Sequence, residues 1–262
     1  WLTYQLNARV PVASGWESFL IWSWTATFYI KKFFTPFVLL PLYQLPQPVN
    51  LWNFSYASGI LIMAGLVAGM FRFRQNRLFI FACLFFILST FFLWRYDASA
   101  DTTIVGDRFM YLPSLGICLW LGHTLVQKIQ EHPHQKRFIV RALAVVMVCL
   151  YLKTAVQCLV WKNDIILWNH VIGHGHQSAL AYNSRGVALS KRGEKTKAME
   201  DINEALRLNP AYAKAYYNRG KVYADAGNLQ AAIRDFTKSL ELNPRHEESF
   251  LERAIACSRN SQ

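Results

Sequence analysis

Apolar residues run in five long stretches before residue 161 and in helical stripes after it. The stretches are roughly 16–33 (WESFLIWSWTATFYIKKF), 56–71 (YASGILIMAGLVAGMF), 78–94 (LFIFACLFFILSTFFLW), 109–127 (FMYLPSLGICLWLGHTLVQ) and 138–160 (FIVRALAVVMVCLYLKTAVQCLV). Each approaches the roughly 17–25 residues a helix needs to cross a hydrocarbon layer. The core helix of a soluble protein would have amphipathic neighbours, and these have none. The first stretch is rich in Trp and Tyr and is broken by Lys31, Lys32 and Pro36, which predicts a partly interfacial position. The second is rich in Gly and Ala, which suits close helix packing in lipid. The expected fold is all-α, with polytopic transmembrane helices over 1–160, a helical linker over 161–177 and a helical repeat region over 178–262.

The loops predict an orientation. Arg72, Arg74 and Arg77 fill the second connection, and Lys128, Lys136, Arg137 and Arg141 fill or flank the fourth. Basic connections of one parity belong in the cytoplasm. The segment 95–108 has no basic excess, and 34–55 is Pro-rich and almost uncharged, so both belong outside. The fifth helix then exits outward, which places the repeats in a periplasm or lumen. Lys31 and Lys32 oppose this assignment.

In the linker, Ile165, Ile166, Trp168, Val171 and Ile172 have helical spacing, which predicts a short helix packed on the first repeat. Beyond it, Gly186, Gly193, Ala198, Leu206, Leu208, Asn209 and Pro210 recur 34 residues later as Gly220, Gly227, Ala232, Leu240, Leu242, Asn243 and Pro244. That period with these landmarks is the signature of the tetratricopeptide repeat (TPR), a helix–turn–helix unit that stacks into an α-solenoid. The units fall at 178–210 and 211–244. A partial one at 245–262 has Phe250, Arg253 and Ala254 echoing Tyr216, Arg219 and Gly220. Family register places the concave face on Asn183, Val187, Ser190 and Lys191, then Lys214, Tyr217, Lys221 and Asp225. These residues would line a groove for an extended peptide or, equally, form a solvated helix face. The lysines favour an acidic or carbonyl-rich partner.

Composition marks the same division. Charged residues are 17% of the chain, against roughly 25% in an average soluble domain. Residues 1–177 carry 14 Lys/Arg and 6 Asp/Glu, whereas 178–262 carry 14 and 10. The net charge of +12 does not point to nucleic acid, because no basic helix face or aromatic-basic interleaving accompanies it. Cys83, Cys118, Cys149, Cys158 and Cys257 form no CxxC pair and read as buried apolar thiols. His174 and His176 lack a third ligand at metal spacing, so no metal is expected. The chain starts at Trp1 without a leader pattern and stops within its third unit, so it reads as a C-terminal fragment of a longer protein.

The most distinctive short segment is Gly106-Asp107-Arg108-Phe109-Met110-Tyr111-Leu112-Pro113-Ser114-Leu115-Gly116. Charges at a membrane edge are expensive unless paired or hydrated. Arg108 could hold a phosphate, Asp107 could orient it, and Tyr111 could bond a polar head. Equally, Asp107 would cap the fourth helix, Arg108 would snorkel, and Pro113 would be a tolerated kink. The segment resembles the ADR-x-x-Y-x-P-x-x-G block of transmembrane-and-tetratricopeptide-repeat (TMTC-like) proteins, with Gly106 where Ala is usual. Tyr29, Lys32, Pro36, Leu39, Pro41 and Tyr43 resemble their preceding Y-x-x-K-x-x-x-P-x-x-L-x-P-x-Y segment, and Trp161, Trp168 and the repeats follow in family order.

The resemblance implies a membrane protein of the GT-C glycosyltransferase type. Such proteins transfer a sugar, often mannose, from a polyprenyl-phosphate donor to Ser or Thr on the non-cytoplasmic side. The family's catalytic acidic residues lie in an outer loop near the N-terminus, in a region this sequence does not include. Asp97 and Asp101 are not assigned to that role. The expected partners are the bilayer of a bacterial inner membrane or endoplasmic reticulum and a protein or peptide in the TPR groove. The alternative is a non-catalytic, membrane-anchored TPR scaffold for envelope protein assembly.

Overall fold

The computed structural model describes residues 15–36, 39–41, 43–46, 48–91, 103–105, 110–175 and 177–260. The chain divides into two units, 1–150 and 151–262.

The first unit is built from long helices: α1 (Gly15–Phe34), α2 (Phe54–Arg72), α3 (Arg77–Phe91), α4 (Tyr111–Glu131) and α5 (Lys136–Trp161), the last continuing into the second unit. Asn53 starts α2 by accepting from the Ser55 amide, which satisfies a donor that the first turn leaves unpaired. α1 and α2 pack around Leu20, Ile21, Leu45 and Tyr56. They approach closely at Gly59, where a Cβ would meet the Trp24 backbone at 3.1 Å. α3 and α4 do the same at Gly116, where a Cβ would lie 3.2 Å from the Ala82 carbonyl oxygen. Glycine replaces side-chain volume with backbone proximity, the device expected where no hydrophobic effect drives helices together.

Two features differ from the reading of the sequence. Among the described residues, two helices are long and apolar enough to cross a membrane, Phe54–Arg72 and Pro133–Trp161; Arg77–Phe91 is apolar but shorter. α1 is too polar, because its packed side carries Ser18, Ser23, Thr25 and Thr27. Ser23 and Thr25 donate back to the Leu20 and Ile21 carbonyls. α4 ends in the polar run Gln127-Lys128-Ile129-Gln130-Glu131. The second difference is a small antiparallel pairing of β1 (Tyr43–Gln44) with β2 (Thr103–Val105). β1 precedes α2 and β2 follows α3 in the chain. The pairing therefore ties together the connections leaving the outer ends of the α2–α3 hairpin.

The cysteine expectation is corrected as well. Cys83 is buried, but Cys118, Cys149, Cys158 and Cys257 are exposed. They lie on helix faces that no other described element covers, and α5 buries no residue at all.

The second unit continues with α6 (Asp164–Gly173) and five solenoid helices: α7 (Ala179–Lys191), α8 (Lys195–Leu208), α9 (Ala213–Asp225), α10 (Leu229–Leu242) and α11 (Glu247–Asn260). α7 packs on α8 and α9 on α10, and α6 packs on α7. Within each pair the turn runs through a glycine in the left-handed region, Gly193 at φ 83° and Gly227 at φ 81°, where a side chain would be strained. The core between units comprises Ile202, Ala205, Leu206, Ala215 and Val222. A Cβ at Gly186 would meet Ile202 Cγ1 at 2.8 Å and the Ala198 carbonyl at 3.0 Å. At Gly220 it would meet the buried Phe236 ring at 2.7 Å.

Gly186→Ala and Gly220→Ala should each destabilise the solenoid by about 1–3 kcal/mol, the usual range for overpacking a filled core. Gly65→Ala, where a Cβ meets open space, should be close to neutral. Thermal melts of the three variants followed by circular dichroism check this, and an unchanged Gly220→Ala would contradict the packing described.

Candidate functional site: the groove of the repeat helices

The groove is held by a polar frame. Arg185 donates through Nε and Nη2 to both carboxylate oxygens of Asp201, at 2.7 and 2.6 Å. Its Nη1 donates to Asn169 Oδ1 on α6 at 2.8 Å. Thirty-four residues on, Arg219 binds Asp235 at 2.7 and 2.9 Å and Asn203 at 2.8 Å. Each guanidinium also lies over a tyrosine ring, Tyr182 or Tyr216, at 5.4 Å. Arg253 repeats the stacking over Phe250 at 5.5 Å. The carboxylate hydrogen bonds push both arginines further up from their ordinary values, against a smaller opposing effect of burial. The planar fork suits this geometry, because it satisfies two helices at once.

Inside the frame, a groove of about 180 Å³ is lined by Val187, Ser190 and Lys191 of α7, Ile202 of α8, and Asn218, Lys221, Val222 and Asp225 of α9. Of the residues proposed from register, Lys191, Lys221 and Asp225 meet here with Val187 and Ser190. Asn183 lies just beneath the surface, buried, and accepts from Asn218 Nδ2 at 2.9 Å. Lys214 is exposed at the start of α9 and does not line the groove. Tyr217 turns away onto Phe236 and His246, with ring centroids at 6.0 and 4.9 Å, and burial pushes its phenol up. Asn218, Val222 and Ile202 were not foreseen from register. The groove floor is apolar and its rim carries both charge signs, so it can hold an extended chain by its backbone and small apolar side chains.

The motif at the start of α4 is less complete. Asp107 and Arg108 lie outside the described residues. Tyr111 is the first residue of α4 and is 78% exposed. Of the preceding motif, Tyr29 is fully buried. Lys32 Nζ stands 4.6 Å from the Tyr43 ring centroid and 5.5 Å from that of Phe28. The Tyr43 hydroxyl accepts from the Leu40 amide at 2.8 Å. Tyr43 thus links the lysine to the strand that pairs with β2, a cation–π arrangement that the residue spacing did not reveal.

At the linker, the His170 and His174 rings stack at 4.1 Å, and His174 Nδ1–H donates to the His170 carbonyl at 2.7 Å. Desolvation, and then the neighbouring His174, hold His170 below its ordinary value. The pair is neutral packing between polar rings.

The tetratricopeptide repeat family matches residues 213–246, and a second TPR family matches 186–227. The chain is similar to protein O-mannosyl-transferase Tmtc2 of Drosophila melanogaster, 24% identical over 110 residues, which is 42% of this chain and 12% of that protein. It is also similar to protein O-mannosyl-transferase Tmtc3 of the same organism, 28% identical over 106 residues, 40% of this chain and 11% of that protein. The match therefore spans about an eighth of the length of these relatives or less. Among solved structures, the first TPR domain of Spaghetti (RPAP3) bound to an HSP90 peptide is 24% identical, with a TM-score of 0.36, over 37% of this chain and 78% of that one. The Arabidopsis OM64 TPR domain is 20% identical, with a TM-score of 0.35, over 40% and 86%. This chain is a TPR protein with similarity to O-mannosyl-transferases.

Asp235→Ala leaves Arg219 with one side-chain partner in a half-buried site. It should destabilise the solenoid by about 1–3 kcal/mol, the range for stranding a partly buried polar group. A comparable loss is expected for Asp201→Ala, whereas Glu241→Ala, in an exposed pair with Lys238, should change little. Urea titrations of the three variants check this, and equal effects at Asp235 and Glu241 would contradict the frame.

Proposed function

We propose that the repeats hold an extended segment of a protein partner in the α7–α9 groove, on the non-cytoplasmic side of a membrane crossed by the first unit. The observation that carries this reading is the groove itself, an apolar floor of Val187, Ile202 and Val222 rimmed by Lys191, Asn218, Lys221 and Asp225. Two lysines against one aspartate favour an acidic segment. A fluorescent extended peptide rich in Asp and Glu should bind the purified chain, and Lys191→Glu with Lys221→Glu should weaken that binding about tenfold, roughly 1.4 kcal/mol. Binding that the double reversal leaves unchanged would remove the groove as its site.

The likeness to O-mannosyl-transferases supports a further step. In this reading the chain is the C-terminal part of a membrane enzyme that moves a sugar, mannose in those relatives' names, from a polyprenyl-phosphate donor to a protein hydroxyl. Asp107, Arg108 and Tyr111 are the proposed donor-phosphate site, Arg108 binding the phosphate and Asp107 orienting it. The repeats present the acceptor. Arg108→Ala in the full-length protein should abolish mannosyl transfer while a reporter fused after Pro244 stays active outside the cytoplasm. Transfer at the original rate would reduce Arg108 to a helix anchor, and a cytoplasmic reporter would overturn the sidedness.

A further inference from the structure

The turn between α2 and α3 carries a charge that nothing in the first unit answers. Residues 71–77 are all exposed, and three of them are Arg72, Arg74 and Arg77. The carboxylates among the described residues of 15–131 are Glu17, at the start of α1, and Glu131, at the far end of α4. No ion pair joins either of them to the three arginines. The turn is itself tight and defined: the Phe73 amide closes α2 on the Gly69 carbonyl, Asn76 bonds the Phe73 carbonyl at 2.8 Å, and its side chain caps α3 by accepting from Phe79 at 2.9 Å. α3 has no acidic residue in its first turn, so its amino end adds to the positive potential.

The surroundings define the depth of this cluster. α2 has 19 residues, roughly 28 Å of helix, close to the roughly 30 Å thickness of a hydrocarbon layer. Large aromatic side chains stand clear of the protein at both ends: Trp52 (95% exposed) and Phe54 (84%) before it, Phe71 (77%) and Phe73 (55%) after it. Aromatic residues collect at the two membrane interfaces. The β1–β2 pairing lies with the connections at the Trp52 end of the hairpin. The arginines therefore stand at the opposite interface, at headgroup depth. Arg72 is already braced against Phe73, its guanidinium carbon 5.6 Å from the ring centroid.

We propose that Arg72, Arg74 and Arg77 form a docking site for the phosphate of an anionic phospholipid, with Phe71 and Phe73 seated among its acyl chains. The site rests on the reading of α2 and α3 as a membrane hairpin, and it holds whether or not the protein transfers a sugar. Three guanidinium groups within six positions give several donors to one phosphate, and the absence of a protein carboxylate leaves the lipid to supply the counter-charge.

The test uses the full chain reconstituted in vesicles of phosphatidylcholine with or without phosphatidylglycerol, then released in detergent for native mass spectrometry. The chain should retain phosphatidylglycerol in preference to phosphatidylcholine. The triple variant R72Q/R74Q/R77Q should lose about a hundredfold in relative retention, from about 1 kcal/mol per basic residue. R72K/R74K/R77K should keep most of it, which separates loss of charge from loss of fold. K136Q/R137Q/R141Q, at the α4–α5 turn, should leave it unchanged. Equal retention in the glutamine variant, or displacement of the lipid by free inorganic phosphate, would overturn the site. Alkaline carbonate extraction of the same vesicles separates the two readings. Protein that is washed off refutes the membrane hairpin, whereas protein that stays but shows no lipid preference refutes the docking site alone.

Discussion

Arg185 and Arg219 each join three helices, and the solenoid is organised around those joints. One guanidinium spans the carboxylate on the second helix of its own repeat and the amide on the helix before it, while a tyrosine ring closes one face. Such a contact has strict geometry, so it fixes the rotation of three helices about their axes. Hydrophobic burial supplies the larger stabilisation but tolerates sliding. The charge network removes that freedom, and the groove inherits its shape from helices that cannot turn. Neighbouring glycines set the other dimension. Ile202 and Phe236 occupy the space where side chains at 186 and 220 would stand, so the paired helices lie close enough for the arginines to reach.

The first unit obeys a different constraint. Its helices offer lipid-like surfaces on most sides, and α5 buries nothing, so burial of apolar area cannot order them. Order comes from close backbone approach at Gly59 and Gly116 and from hydroxyl groups that bond within their own helix. The Trp22 indole donating to the Thr90 carbonyl, at 3.3 Å, and Thr27 donating to the Gly59 carbonyl add direct links between helices. Polar bonds of this kind replace the hydrophobic effect where the surroundings are themselves apolar.

What the sequence made legible follows from the same physics. The 34-residue period could be read because glycine, alanine and proline sit where volume or backbone geometry forbids anything else, and Gly220 and Gly227 are two such places. Groove residues were only partly legible. Lys191, Lys221 and Asp225 reach the groove, but Tyr217 is drawn off by Phe236 and His246, a competition between partners more than thirty residues apart in the case of no local pattern. Asn218 enters because its amide bonds Asn183, and an asparagine on a helix looks like any solvated position. The β1–β2 pairing left no readable period, since strands of two and three residues are too short to alternate. α1 was read from its hydrophobicity, which hid that its hydroxyl residues point inward.

Asn169 extends the repeat beyond the region the glycines mark. It lies 34 residues before Asn203 and accepts from Arg185 as Asn203 accepts from Arg219. Val171 likewise lies 34 residues before Ala205, and both are buried. α6 therefore occupies the place of a second repeat helix, although its sequence lacks the alanine and aspartate of α8 and α10. The consequence falls on α7. A first helix with solvent on one side would fray, because end units of a solenoid lose half of their stacking. With α6 seated against it, α7 has a partner on each side and holds Val187, Ser190 and Lys191 in place as one groove wall. The polar joint at Asn169 thus makes the linker part of the binding surface's support, and the groove's rigidity depends on a helix that contributes no residue to its lining.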